Sequence, residues 1–494
     1  MKPAINDTIE ADYIVVGSGA SGATAALEFA ENGFSTIVVE EGEWYRKENF
    51  TEDVYGAMKT LFRDFGSQMT RGRAVIPVLE GRCVGGSTVM NGAIVHRLPE
   101  AIYADWIDSD SALKSAVPYA ELDLHFEAIE KELQIRRNLE PVLASLPATL
   151  ALRRLGWSHQ AMLRNAPGCE SSGRCLQGCP SGGKWSMEAT FLPRAMKSGA
   201  RILSGHTAQE ILFEKGKAQA VRCRQKSGEQ RVIRGRRGIV LAGGVMQTPP
   251  LLWRSGLGLG DSNVGRHFQT HLGVSIVAEM EHPVVELEGP PQGIEVLAFH
   301  EDKIKLATQL IPPELLFART SLWGDELITQ LSRTEYFSSW TGSIQSEAKG
   351  RLTRNWMGKI GLEFTPTRND MQRVRTSLWR LAELMFEMGA KRVFPGVNGS
   401  KDFPRELGSI DEAKKILALP LDPRLYFISV GHLFGTSRLG SNPNTSVVNT
   451  DFTVHGTKSL FVVDAGLFPT NLGVNPQHSV MALARHASRR IMHQ

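Results

Sequence analysis

The chain begins its ordered pattern with a β-branched apolar run, Asp12 to Val16, followed at once by Gly17-Ser18-Gly19-Ala20-Ser21-Gly22. Ala23 to Asn32 has helical composition and stops at Gly33, and Thr36 to Val39 forms a second apolar strand that closes on Glu40. The predicted order is strand, tight glycine turn, helix, strand. Apolar runs predict further strands at Gly238 to Ala242, Leu425 to Val430 and Leu460 to Val463. Leu272 to Met280 and Glu295 to Gln309 alternate apolar with polar positions, which predicts half-buried strands. Met371 to Gly389 reads as one amphipathic helix ending at its glycine. Pro476 suits a first helical turn, and Gln477 to Ile491 continues it with Val480, Leu483, Ala484 and Ala487 on one face. The basic run Arg231 to Arg237 reads as a solvated surface strand and turn.

Composition narrows the class. At 494 residues the chain exceeds one compact core, so two domains are expected. With 42% apolar residues, 22% charged residues and a net charge of +4, it has an ordinary globular balance that offers no support for nucleic-acid binding. Met1 to Ala11 lacks the pattern of a cleaved leader, and no stretch is apolar for long enough to predict a transmembrane helix. The expectation is a soluble, cytoplasmic protein. Cys83, Cys169, Cys175, Cys179 and Cys223 are odd in number and fit reduced thiols or ligands better than a disulfide framework.

The glycine turn carries the first chemistry. Gly17 permits the turn, Gly19 lets backbone approach a pyrophosphate, and Gly22 lets helix and strand pack closely, with Ser21 in the first turn. Glu40, at the end of the second strand, can accept hydrogen bonds from a ribose diol. This is a dinucleotide fingerprint shared by NAD and FAD. Other candidate segments are Gly85-Gly86-Ser87-Thr88-Val89-Met90-Asn91-Gly92-Ala93, Gly244 to Gly258, Val264 to His271, and Gly431 to Ala484 with His432, Asp464-Ala465 and Asn475-Pro476. A separate loop spaces Cys169, Cys175 and Cys179 as C-x5-C-x3-C, a soft-ligand spacing for zinc or iron–sulfur, although three ligands without a fourth argue against a closed zinc site.

Taken together these segments resemble the glucose-methanol-choline (GMC) family of FAD-dependent oxidoreductases, from about Asp12 to Ile491 and thinly between roughly 275 and 425. Gly244 to Gly258 looks like a family signature, departing from it at Val245, and Gly85 to Ala93 looks like the loop that lies against the flavin. The resemblance implies an α/β fold: a discontinuous Rossmann-type FAD-binding domain (10–120, 186–270 and 425–494), and a substrate domain (121–185 and 271–424) on an antiparallel sheet flanked by helices. It implies FAD as cofactor, held by Gly17, Gly19, Ser21, Gly22, Glu40, Gly86, Ser87, Asn91, Gly92, Asp464, Ala465, Asn475 and Pro476. His432 takes the place of the catalytic base and Asn475 of its partner, while His478 falls at a packing position. The implied reaction oxidises the CH–OH group of an alcohol or sugar, with hydride transfer to flavin N5; a flavoprotein using FAD as scaffold or electron carrier is the alternative. The cysteine spacing is similar to that of bacterial FAD-dependent glucose dehydrogenases, which implies either a 3Fe-4S cluster and an electron-accepting subunit, cytochrome or quinone, or plain thiols. Such relatives also offer co-export with a partner subunit to the periplasm as the alternative location.

Overall fold

A computed structural model describes residues 9–137, 146–258, 260, 262–284, 293–398 and 403–494; of the segment carrying the no-leader expectation, residues 1–8 lie outside these. Strand β1 (Ile9–Val16) leads through the glycine turn into helix α1 (Ala20–Glu31), and β2 (Thr36–Val39) returns parallel to β1. On its other side β1 pairs in parallel with β3 (Gln230–Leu241), whose last three residues pair in parallel with Leu460–Val462. Arg201–Leu203 extends the sheet beyond β2, and an antiparallel pair, Lys217–Gln225 and His206–Glu214, completes it beyond β3.

A second, antiparallel sheet centres on β4 (Gln269–Met280), with Ala390–Phe394 on one side. On the other, β5 (Ile304–Thr308) follows β6 (Phe337–Gln345), and Ile294–Val296 and His159–Ala161 lie outside them. Helix α2 (Arg368–Glu387) covers one face: Gly342 has no room for a Cβ because Ser377 would stand 1.9 Å away. Leu272, Val274 and Ile276 share that face, so alternation turns His271, Gly273 and Ser275 to the opposite one. Helix α3 (Gln477–Met492) closes the chain against α1 and helix Tyr119–Glu132; buried Arg485 joins all three by reaching Glu28 at 2.7 Å and Glu132 at 2.8 Å. No helix among the described residues is long and apolar enough to cross a membrane.

Four expectations change. Leu425 to Val430 is not a strand: Leu425 ends a 3-10 turn (Pro423–Leu425), and the residues after it form an extended segment with isolated bridges, Val397 to Tyr426, Gly273 to Ser429 and Val78 to Val430. Glu295 to Gln309 divides into two strands around a turn in which Lys303 has φ +62°. β4 is buried along nearly its whole length: α2 covers one face, and Ser429 and Leu433–Phe434 pair with the edge it shares with Ala390–Phe394. Arg231 to Arg237 contains no turn: it lies within β3, where Arg236 pairs with Glu10 and Asp12 at 3.1 Å and Arg237 stands over the Phe34 ring at 4.7 Å.

Candidate active site

A cavity of about 760 Å³ lies between the two sheets. At one end, Gly17 has φ +103° and its Cβ would meet Ala242 O at 2.4 Å, while a Cβ on Gly22 would meet Gly17 O at 2.0 Å. Both glycines are demanded by backbone packing. Gly19 differs: a Cβ there would meet nothing within 4 Å, because it would project into the cavity. Gly19 is also the N-cap of α1 and offers no side chain, so the first N–H groups of the helix stay free for an anion. Gly86 packs on Gly19, its own Cβ position lying 2.9 Å from Gly19 Cα. Glu40 is buried, which pushes its carboxyl up; it accepts from Ser18 N (3.0 Å), Ser18 Oγ (2.7 Å) and Gly42 N (2.8 Å). A carboxylate has about four acceptor positions, so one remains for a ligand hydroxyl.

These features fit the diphosphate and ribose of a dinucleotide. Gly17, Gly19, Ser21, Glu40, Gly86, Ser87, Asn91, Gly92, His432, Asp464, Ala465, Asn475 and Pro476 all line the cavity; Gly22 does not, in keeping with its packing role. Asn91 Nδ2 donates to Gln477 Oε1 at 2.5 Å, which ties the 85–93 loop to the start of α3. Asp464 is buried, which raises its carboxyl, and it accepts from Thr248 Oγ1 (2.6 Å), Gly466 N (2.8 Å) and Gly244 N (2.9 Å). It therefore fastens the Gly244 segment to the C-terminal strand while facing the cavity.

His432 follows the extended segment, and its carbonyl is held by Thr270 Oγ1 at 2.8 Å. Its Nε2 lies 3.4 Å from Asn475 Nδ2, too far for a strong hydrogen bond and close enough for both to reach one substrate oxygen. Burial first, then the positive charges of Lys305 and His96, push the imidazole down to about 3, so it is neutral at pH 7. Its Nδ1 faces Nδ1 of buried His271 at 3.1 Å, and His271 Nε2 accepts from Gly473 N–H at 2.9 Å. That acceptance assigns the His271 proton to Nδ1, hence the resting His432 proton to Nε2.

Several groups at this end went unnoticed in the sequence. Lys305 Nζ donates to Asn475 Oδ1 at 2.6 Å, which fixes the amide with Nδ2 toward His432. Lys305 lies 3.3 Å from Glu295, which also receives His96 Nε2 at 2.9 Å and Gln160 Nε2 at 2.8 Å. Burial pulls Lys305 down against the opposing pull of Glu295. For Glu295, burial alone would raise the carboxyl, but the His96 hydrogen bond and the Lys305 charge outweigh it and hold it below the ordinary range. The available signal was a lysine inside the apolar run Ile304–Thr308. His478, by contrast, packs away from the cavity, with Nε2 3.3 Å from Phe126 O.

Cys169, Cys175 and Cys179 lie behind the 85–93 loop and do not line the cavity. Buried Arg164 stands between two of them, Nη1 3.6 Å from Cys169 Sγ and Nη2 3.4 Å from Cys175 Sγ, while Lys184 N donates to Cys179 Sγ at 3.3 Å. The Lys184 ammonium holds the carbonyls of Val89, Asn91 and Cys175 at 2.5–3.0 Å. Among the described residues no three His, Cys, Asp or Glu converge as a metal site, and all five cysteines are free thiols. The cluster expectation thus gains no support from the geometry. Cys83 and Cys223 are buried, as expected of packing residues. Of the apolar residues between 311 and 323, Leu315 lines the cavity, Ile311, Leu316 and Phe317 form core, and Trp323 is exposed.

Comparison with known proteins agrees with this architecture. The GMC oxidoreductase family is matched over residues 11–273 and 347–484. An uncharacterized GMC-type oxidoreductase of Mycobacterium tuberculosis is 30% identical over 481 residues, covering 96% of this chain and 74% of its own. A long-chain-alcohol oxidase of Arabidopsis thaliana is 25% identical over 501 residues, covering 96% and 68%. Among solved structures, pyridoxine 4-oxidase from Mesorbium loti (TM-score 0.72, 17% identity, 98% and 99% coverage) and formate oxidase from Aspergillus oryzae (0.73, 16%, 99% of each) share the fold. With its Rossmann-type layer, its glycine cradle and these matches, the chain belongs to the GMC oxidoreductase family, and FAD is the cofactor that membership indicates.

Proposed function

We propose that this oxidoreductase oxidises the CH–OH group of an alcohol, with His432 taking the hydroxyl proton and Asn475 donating to the same oxygen. The observation that carries the reading is the His432–Asn475 pair, 3.4 Å apart on the wall of the cavity that also contains the glycine cradle. FAD, when bound, supplies the acceptor for the hydride leaving the carbinol carbon. Gly19, Glu40, Gly86 and the start of α3 are the groups that would hold it. The N-terminus of α3 brings partial positive charge to the cavity wall, favouring anionic charge there.

Base action at Nε2 requires the His432 tautomer with its proton on Nδ1, donated to His271. His271 must then carry its own proton on Nε2, at the cost of the hydrogen bond from Gly473. Lys305 keeps the Asn475 amide from turning its oxygen toward His432 during this exchange.

The test is His432→Ala. Flavin reduction by a primary alcohol under anaerobic conditions should fall by about 10²- to 10⁴-fold, the usual contribution of a general base, with FAD content unchanged. Undiminished reduction would overturn the assignment. A 3Fe-4S relay on Cys169, Cys175 and Cys179 is a separate reading that rests on spacing alone. Iron and acid-labile sulfide analysis of anaerobically purified protein decides it, and flavin bands without iron are expected.

A further inference from the structure

The cavity has a second polar feature, remote from the His432–Asn475 pair. Gln309, Leu315, Arg319, Phe427 and Ser429 form its wall there. Arg319 stands over the Phe427 ring at 5.3 Å and donates through Nη1 to Gln309 Oε1 at 3.1 Å. That oxygen is already held by Ser275 Oγ at 2.8 Å and Ser339 Oγ at 3.4 Å, so Gln309 is a fixed, neutral partner. A guanidinium carries five N–H donors, and Gln309 occupies one. Among the described residues no carboxylate pairs with Arg319, and burial is the only influence on its charge, which it pulls down to about 10; at neutral pH the cation persists. It is a half-buried positive charge to which no counter-charge is paired among the described residues, on the wall of a ligand cavity. Such a charge is costly unless something anionic completes it.

Two measures give its distance from the reacting end. Lys305 and Gln309 are four residues apart along β5 and its continuation, and Phe427 and His432 five residues apart along one extended segment. At the strand rise these separate the Cα positions of the Arg319 partners from those of the reacting end by up to about 13 and 16 Å. Leu176, Leu315, Val430 and Leu433 line the same cavity, which therefore has apolar walls beside the cation.

We infer that Arg319 anchors a carboxylate at the end of the substrate remote from its hydroxyl, so that the substrate class is a hydroxy carboxylate with an apolar spacer. This rests on the alcohol-oxidising reading and refines it. A planar carboxylate matches the guanidinium fork with two parallel hydrogen bonds. Its single negative charge balances the single positive one, whereas a phosphate dianion would leave excess charge beside apolar walls.

Two measurements on the FAD-loaded enzyme test this. The first compares kcat/KM for ω-hydroxydecanoate and decanol in the native protein, Arg319→Met and Arg319→Lys. A preference of at least about tenfold for the hydroxy acid is expected in the native protein, equivalent to one charge-assisted hydrogen bond. It should vanish in Arg319→Met and survive in part in Arg319→Lys; the same ratio in all three proteins would overturn the inference. The second is calorimetric binding of decanoate, which has no hydroxyl to oxidise. Binding to the native protein and at least tenfold weaker binding to Arg319→Met supports the anchor; equal binding, or none to either protein, refutes it. If no alcohol reduces the flavin but decanoate binding depends on Arg319, the alcohol-oxidising reading fails and the carboxylate site stands.

Discussion

Lys305 is a cation where packing alone would call for an aliphatic side chain, and its position explains the orientation of Asn475. Replacing it with Met frees the amide to rotate and leaves Glu295 with His96 and Gln160 alone. Lys305→Met should lower kcat by about tenfold to a hundredfold, the scale of a small misplacement at a reacting centre. The double variant Lys305→Met, Glu295→Gln should recover thermal stability without recovering kcat, which separates orientation from folding. A second outcome concerns pH. A lowered imidazole pKa means the base form persists far into acid, so the acidic limb of kcat/KM attributable to His432 should lie near pH 3 rather than near 6.5, read from a pH–rate profile. His432 and Asn475 were legible because each sits in a motif that can be read locally. Lys305, Glu295 and His96 were not, because two adjacent strands and a loop bring them together across as many as 199 residues.

The strand–turn–helix unit separates two roles that glycine has in one motif. Gly19 faces open space, so Gly19→Ala should leave the melting temperature of flavin-free protein nearly unchanged while weakening FAD binding. Gly22→Ala forces a Cβ into backbone and should destabilise the flavin-free protein by about 1–3 kcal/mol. Thermal melts with and without added FAD distinguish the two. In α2, Asp370 reciprocates the Thr367 cap and also accepts from Glu347 N at 2.7 Å and Ala348 N at 3.2 Å, joining the helix start to the loop after β6. Asp370→Ala should cost about 3 kcal/mol by denaturant titration, from the lost cap and the buried N–H groups it leaves unpaired. The β1–α1–β2 unit and α3 were readable because their periodicity and punctuation are local. The apolar run Leu425 to Val430 forms no strand: such a run reports burial equally for a strand and for an extended segment tied to its neighbours by isolated bridges, and only the partner strands decide between them.

Across the molecule, the thiols test how well the interior is closed. Cys83, Cys175, Cys179 and Cys223 are buried and Cys169 is half-buried. A thiol reagent should modify no more than one cysteine in the native protein and all five after denaturation. More native-state labelling would show that the region behind the 85–93 loop opens. The gross architecture, a parallel layer facing an antiparallel one, was legible from the resemblance, whereas the polar furnishings between the layers depend on contacts that no linear pattern encodes. Finally, Arg485 binds the last helix to Glu28 of the first, and Tyr13 Oη reaches Ile491 O across 478 positions. The cradle is written in β1 and α1 but walled by α3 more than 400 residues later, so a ribosome must have released α3 before the coenzyme can be captured. Nascent chains arrested before α3 should therefore emerge colourless.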